Sequence, residues 1–229
     1  MEIANILQLY GQLLTSVDQW FARCMAAAPD DIRCGRGCSE CCRGLFDITL
    51  LDACYLKSGF DRLSEEVKDM VLEKAIKRLN GVKAIWPEFN LPFILNHRPD
   101  AEWDAVMPDE DDTPCVLLDD HGQCLVYEHR PMTCRLHGIP LIDSGGEVID
   151  EDGCSLNFTG MTAILPAELR FPFIELFQDE TTLFKLFTKQ LLKQSFSELD
   201  TLIPAAVLLS FDHAHWRQWR GRLLSNIEN

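Results

Sequence analysis

A mainly α-helical chain with small β-hairpins, its flanking helices packed around a cysteine-rich core, is the fold class the sequence predicts. Three observations point there. Apolar residues recur in steps of three and four at the N-terminal end and again in the middle of the chain, the signature of helices with one buried face. Short Val/Leu/Ile-bearing runs flank turn residues in two places, as hairpins do. Eight of the 10 cysteines fall into two groups of four: Cys34, Cys38, Cys41 and Cys42, then Cys115, Cys124, Cys134 and Cys154.

Taken in order, residues 3–25 carry Ile3, Ile6, Leu7, Tyr10, Leu13, Leu14, Val17, Trp20 and Phe21 at helical spacing, with Pro29 just beyond. The first cysteine group follows in a glycine-bearing loop. Thr49-Leu50-Leu51-Asp52 has the form of a capping box and predicts a short helix through Lys57, stopped at Gly59. Residues 64–80 predict another helix, with Val67, Met70, Val71, Ile76 and Leu79 along one side. The proline-bearing stretch 81–114 is expected to be irregular. Cys115–Asp119 and Gln123–Tyr127 flank Asp120-His121-Gly122 as a hairpin, and Arg130-Pro131 should open a short helix carrying Cys134. Residues 139–150 predict a second hairpin turning at Ser144-Gly145-Gly146. Residues 166–192 and 198–211 predict helices, with a break at Pro172. The whole, 1–229, is expected to form a single domain. Within it, 34–158 is the cysteine-bearing core, and 1–29 and 165–229 are flanking helical segments.

Composition narrows the function. The net charge is −15, from 36 acidic and 21 basic residues, and such a surface repels phosphate backbones; nucleic acid is not an expected partner. The acidic run 109–112 lacks the glycine and distal glutamate of a calcium loop and is expected to be a solvated loop. Polar residues interrupt every apolar run, so neither a signal peptide nor a membrane span is expected, and the predicted location is cytoplasmic. Thiols there stay reduced, and clustered cysteines bind metal more often than they form disulfides.

Thiolates are soft ligands that suit zinc and iron–sulfur clusters. Two groups of four match the ligand count of two four-coordinate centres, and one or two centres are expected. Cys41 and Cys42 lie about 3.8 Å apart at Cα, and in extended backbone their side chains diverge, so they are expected to serve different centres, or one to ligate while the other packs nearby. Three cysteines in one short loop with a distant fourth is closer to ferredoxin-like clusters than to paired zinc knuckles, so iron–sulfur is favoured over zinc. Arg130 and Arg135 bracket Cys134 and are candidates to bind the cofactor by donating hydrogen bonds toward its sulfurs; Arg36 and Arg43 stand beside the first group. His137 is the best candidate for a mixed Cys/His zinc site, although a polar histidine at a helix end is the favoured reading of it. Cys24 and Cys54 stand apart and are expected to be small buried hydrophobes. His213-Ala-His215 is expected to decorate a helix end.

Cys34-x3-Cys38-x2-Cys41-Cys42, Cys115, the string Cys124-Leu-Val-Tyr127-Glu-His-Arg130-Pro131-Met-Thr-Cys134-Arg135 and Cys154 together resemble the YkgJ-type cysteine-cluster family. This is the CxxCxxCC domain of zinc- or iron-chelating proteins, and the resemblance covers residues 34–158. It implies cysteine-bound metal and says little about a reaction. The domain type is similar to the cysteine-rich part of flagellin lysine methylases, which raises a methyltransfer alternative. However, no glycine-rich nucleotide loop follows a strand. Cys34-x3-Cys38-x2-Cys41 is also similar to the radical S-adenosylmethionine signature, with Gly145-Gly146-Glu147 as its partner motif. Glu40 stands where an aromatic is usual, though, and the strand–helix alternation of a barrel is missing. Three classes remain: a redox or metal-handling protein, a structural zinc site in an interaction module with a protein partner, and a metal-dependent enzyme.

Overall fold

The protein is described by a computed structural model covering residues 1–108, 110–151, 153–159, 167–221 and 223. Of the spans read from the sequence, residues 152, 165, 166, 222 and 224–229, together with Asp109 of the acidic run, lie outside the described residues.

Helix α1 (Ile3–Ala27) buries Ile6, Tyr10, Leu14, Val17, Trp20 and Cys24, the face its periodicity predicts. Strand β1 (Asp47–Thr49) leads into α2 (Leu50–Phe60), whose start is capped as expected: the Asp52 N–H donates to Thr49 Oγ1 at 3.1 Å. Helix α3 (Glu65–Ile85) buries Val71, Ala75, Leu79 and Val82. Ile76, predicted on that side, is 50 % exposed, because the buried stripe drifts one position around the helix. The stretch that follows is irregular apart from 3-10 turns at Leu95–His97 and Asp100–Ala105.

Between Cys115 and Tyr127 the expected hairpin is reduced to a single bridge, Leu118 to Cys124, closed by the Asp119 N–H on the Gln123 carbonyl at 3.0 Å. After a 3-10 turn at Tyr127–His129 comes α4 (Met132–Leu136), with Pro131 immediately before its first residue rather than at it. Strands β2 (Leu141–Asp143) and β3 (Val148–Asp150) form the second predicted hairpin. A third strand, β4 (Arg170–Phe171), joins β2 in parallel. Pro172 does not break a helix; it precedes α5 (Phe173–Leu192).

The helix predicted over 198–211 is a misreading. Its first part is β5 (Asp200–Leu202), antiparallel to β1, and only α6 (Ile203–Ala206) is helical. A short continuous apolar run has no periodicity that separates a buried strand from a buried helix, and β1 supplies the missing backbone partners. The pair His213-Ala-His215 stands at a helix end, the start of α7 (His213–Arg217).

Two hydrophobic clusters result. The larger joins α1 to α5: Trp20 meets Phe173 edge-on at 5.0 Å between ring centres, and its indole N–H donates to the Leu169 carbonyl at 2.8 Å. The smaller joins α2, α3 and α6 through Leu56, Phe60, Val71, Ala75 and Val207, and Cys115, Cys124 and Cys134 pack directly against it.

A buried polar knot ties the layers. Asp52, 1 % exposed, accepts from the Tyr10 hydroxyl at 2.7 Å and from the Met132 N–H at 2.9 Å, linking α1 and α2 to the start of α4. The Tyr10 hydroxyl also lies 3.2 Å from Glu180 of α5. Burial first, then the neighbouring Asp52 charge, pushes Glu180 up to about 8 from an ordinary 4.5; burial pushes Asp200 of β5 up to about 7 from 3.8. Both carboxyls are thus raised in the folded state, and the stability they contribute is fully present below about pH 4 and is lost as pH rises toward 8. The midpoint of urea unfolding should fall across that window, and Glu180→Gln should flatten the fall. An unchanged slope in the variant would sink this account.

Candidate metal centre

The first cysteine group sits on two tight turns, closed by the Cys38 N–H on the Gly35 carbonyl at 3.0 Å and the Cys42 N–H on the Ser39 carbonyl at 3.1 Å. The loop then runs antiparallel to the segment entering the second group: Cys115 N–H donates to the Cys42 carbonyl and Gly44 N–H to the Thr113 carbonyl, both at 2.8 Å. Backbone pairing therefore brings two groups far apart in sequence side by side.

Six of the eight predicted cysteines, Cys38, Cys41, Cys42, Cys115, Cys124 and Cys134, line one cavity of about 70 Å³. Apolar Leu56, Val126 and Ile203 wall it, together with Arg130 and His137. The remaining two, Cys34 and Cys154, do not line it and lie close to each other beside Gly138. Gly138, with φ +109°, lets the chain pass there: a Cβ at Gly138 would stand 3.1 Å from the Cys34 sulfur and 3.6 Å from the Cys154 Cβ. A more open cleft of about 380 Å³ against α1 exposes Cys34, Cys38, Cys41 and Cys134.

The sulfurs are met by donors. Leu156 N–H lies 3.4 Å from the Cys154 sulfur, and the N–H groups of Leu117 and Val126 likewise point at Cys115 and Cys124, each two residues on from its cysteine. Asn157 Nδ2 donates to the Cys34 sulfur at 3.0 Å, and its amide is further fixed by the Arg33 N–H at 2.8 Å. Burial holds Cys34 and Cys115 up to about 11, and holds Cys124 above its ordinary value. Cys134 is raised further, by burial and then by the charges of Cys115 and Cys124. Cys41 is raised first by a hydrogen bond with the Cys42 thiol and then by burial.

Arg130 is the cation these thiols share: its charge opposes the rise at Cys41, Cys124 and Cys134. It lies over the Tyr127 ring at 3.7 Å and its Nε donates to the Tyr127 carbonyl at 3.1 Å. Arg135 is 5 % exposed and donates to the carbonyls of Arg130 at 3.0 Å and Glu128 at 2.9 Å, with Asp18 of α1 as its ion-pair partner. Its guanidinium braces the turn that presents Arg130. Arg36 is exposed and pairs with Glu128 at 3.2 Å, while Arg43 donates to the Asp112 carbonyl at 3.2 Å.

The donor set fits a thiophilic centre: soft sulfurs, N–H groups aimed at them, and a guanidinium to offset their charge. Among the described residues no three His, Cys, Asp or Glu side chains are closed on one point as ligands; the thiols are gathered rather than clamped. His137 lines the cavity with its ring 6.2 Å from that of Phe46. Cys24 and Cys54 are buried away from the site, raised by burial to about 11 and about 12, as small apolar groups should be.

Asn157, Asp18 and Asp52 were not legible as site residues. Asn157 had the one available signal, an amide three positions beyond a cysteine. Gly59 is a comparable silent position: a Cβ there would stand 2.5 Å from the His129 ring, so α2 packs against the turn carrying Tyr127 only because this residue is glycine.

No curated protein and no solved structure matches the chain. Among the described residues no helix is long and apolar enough to cross a membrane. The family model CxxCxxCC, described as "Putative zinc- or iron-chelating domain", matches residues 33–141, ending before Cys154. Over that segment the chain is similar to the CxxCxxCC zinc- or iron-chelating domains.

Proposed function

We propose that this chain is a cytosolic, cysteine-ligated metal protein acting in redox chemistry or metal handling, with an iron–sulfur centre favoured over zinc. One observation carries the reading: six thiols from two distant segments converge on one small, largely apolar cavity that a guanidinium faces. The single domain would span 1–229, with 34–158 as its metal-bound core and 1–29 and 165–229 as the flanking helical segments.

The pairing we favour is Cys34, Cys38, Cys41 and Cys154 at one centre and Cys42, Cys115, Cys124 and Cys134 at the other. It is supported by the effects of Cys154, Cys38 and Cys41 on Cys34 and of Cys115 and Cys124 on Cys134, although Cys115 also feels Cys41 across the two groups. Cys41 and Cys42 then belong to different centres joined by one peptide bond. Arg130 would offset charge at both, and Arg135 would hold Arg130 in place. An iron–sulfur cluster would supply one-electron transfer; zinc would supply only structure. Zinc is the second reading, favoured by Cys134 lying half-buried against the apolar α2–α3–α6 cluster, as a structural site would.

Metal and acid-labile sulfide analysis with an absorption spectrum, on protein purified without oxygen, tests the reading. Iron, sulfide and a visible band that bleaches on reduction are expected, and stoichiometric zinc in a colourless sample would select the second reading. Cys34→Ser, Cys38→Ser and Cys41→Ser together should remove most of the metal. Unchanged metal content and thermal stability in that variant would refute metal ligation by this loop.

A further inference from the structure

On the side of the second cysteine group away from α1, a groove of about 770 Å³ runs between α3 and the loop that carries Thr113–Cys115. Four cations line it: Arg43 from the cysteine loop, and Lys74, Lys77 and Arg78 from α3. Their positions on α3, three and four apart, put all three on one face of the helix. This concentration stands on a chain of net charge −15.

Like charges at helical spacing destabilise a helix by about 0.2–0.5 kcal/mol per pair. With 36 carboxylates in the chain, that cost could have been removed by pairing. It is removed at one end only. The chain's own acidic loop supplies Asp111, which pairs with Arg78, and the Asp112 carbonyl, which accepts from Arg43 at 3.2 Å. Lys74 donates to the Leu118 carbonyl at 3.1 Å, and Asp119 lies near enough to feel its charge. Among the described residues neither Lys74 nor Lys77 has an ion-pair partner, although Glu73 lies one turn before Lys77. The groove floor is apolar at Pro114, Val116 and Leu118, with the Ser39 and Thr113 side chains at its edge. Asp119 is the one carboxylate among the lining residues, against four cations, and a concave surface so dominated by one sign of charge focuses its field and concentrates counter-ions of the opposite sign. Arg78 and Asp111 demonstrate the chemistry it takes: an oxyanion held by a guanidinium.

We propose that this groove binds a small organic polyanion, one bearing two or more phosphate or carboxylate groups, beside Cys115. The charged groups of the ligand meet Lys74, Lys77 and Arg43, and its organic body rests on Val116 and Leu118. The site is independent of which metal the cysteines hold.

Calorimetric titration of the metal-loaded protein with pyrophosphate, and separately with tricarballylate, tests it, with metal content measured after each titration. Saturable binding that weakens as salt rises is expected for at least one probe. Pyrophosphate alone would mark the ligand as a phosphate, tricarballylate alone as a carboxylate, and both as a site read by charge. Lys77→Glu, at an exposed position, should weaken binding tenfold or more, and the double variant Lys74→Gln/Lys77→Gln should do the same. Lys77→Glu should leave the thermal midpoint and metal content as they are, and the double variant, which also loses the Lys74 bond to the Leu118 carbonyl, should leave the metal content as it is. Failure of both probes to saturate at millimolar concentration would overturn the proposal, as would undiminished affinity in Lys77→Glu or binding that occurs only with loss of metal.

Discussion

Stripping the metal with a strong chelator will lower the thermal midpoint of this protein more than any single side-chain change. Ligation by four thiolates is folding free energy where no site exists in the unfolded chain, about 10–16 kcal/mol for small zinc modules. Part of that figure applies here, since both hydrophobic clusters are built mostly from residues outside the two cysteine groups. Burial favours the neutral form of the thiols at Cys34, Cys115 and Cys134, so a metal has to displace their protons. The loss is expected to be local. Amide exchange should accelerate over the Cys34–Gly44 loop and from Thr113 to His137, while the face of α1 that packs on α5 stays protected. A midpoint indifferent to chelator, on protein shown to have carried metal, would remove the metal from the fold's energetics.

Trp20→Ala is the substitution expected to cost most, about 3–5 kcal/mol, the usual range for deleting a large buried aromatic. Trp20 is fully buried, touches Phe21, Phe171 and Phe173, and holds the Leu169 carbonyl through its indole N–H. Its loss opens a cavity between α1 and α5 and orphans that carbonyl. Against a typical total of about 5–15 kcal/mol, the variant should sit near the edge of stability at physiological temperature. Urea unfolding measures the effect, and Trp20→Phe should recover a large part of it. A loss under about 1 kcal/mol in Trp20→Ala would mean that the α1–α5 contact matters far less than its burial implies.

What could be read from the sequence follows from the range of each interaction. Helix α1 and the cap of α2 are local patterns, an apolar stripe and a threonine three residues before an aspartate, and both appear as expected. Strand β5 was missed because its partner, β1, lies about 150 residues away and leaves no mark on its own composition. The site divides the same way. Cysteine number and spacing announce a thiol cluster, and the structure brings six of the eight around one cavity. The residues that orient it, Asp18 on Arg135, Asp52 on the Met132 N–H and Asn157 on the Cys34 sulfur, come from elements whose meeting only tertiary packing specifies.

Ile203 closes the apolar wall of the thiol cavity, and it follows β5, the strand that pairs with β1. During synthesis the first cysteine group therefore leaves the ribosome long before its lid does. At translation rates of about 5–20 residues per second, the interval from Cys34 to Ile203 is about 8–34 s. For that time the thiols are soft, reactive and uncovered in the nascent chain, open to oxidants and to the wrong metal. Yield of correctly loaded protein should then depend on oxygen and metal supply while the chain is being made, more than on conditions after it has folded.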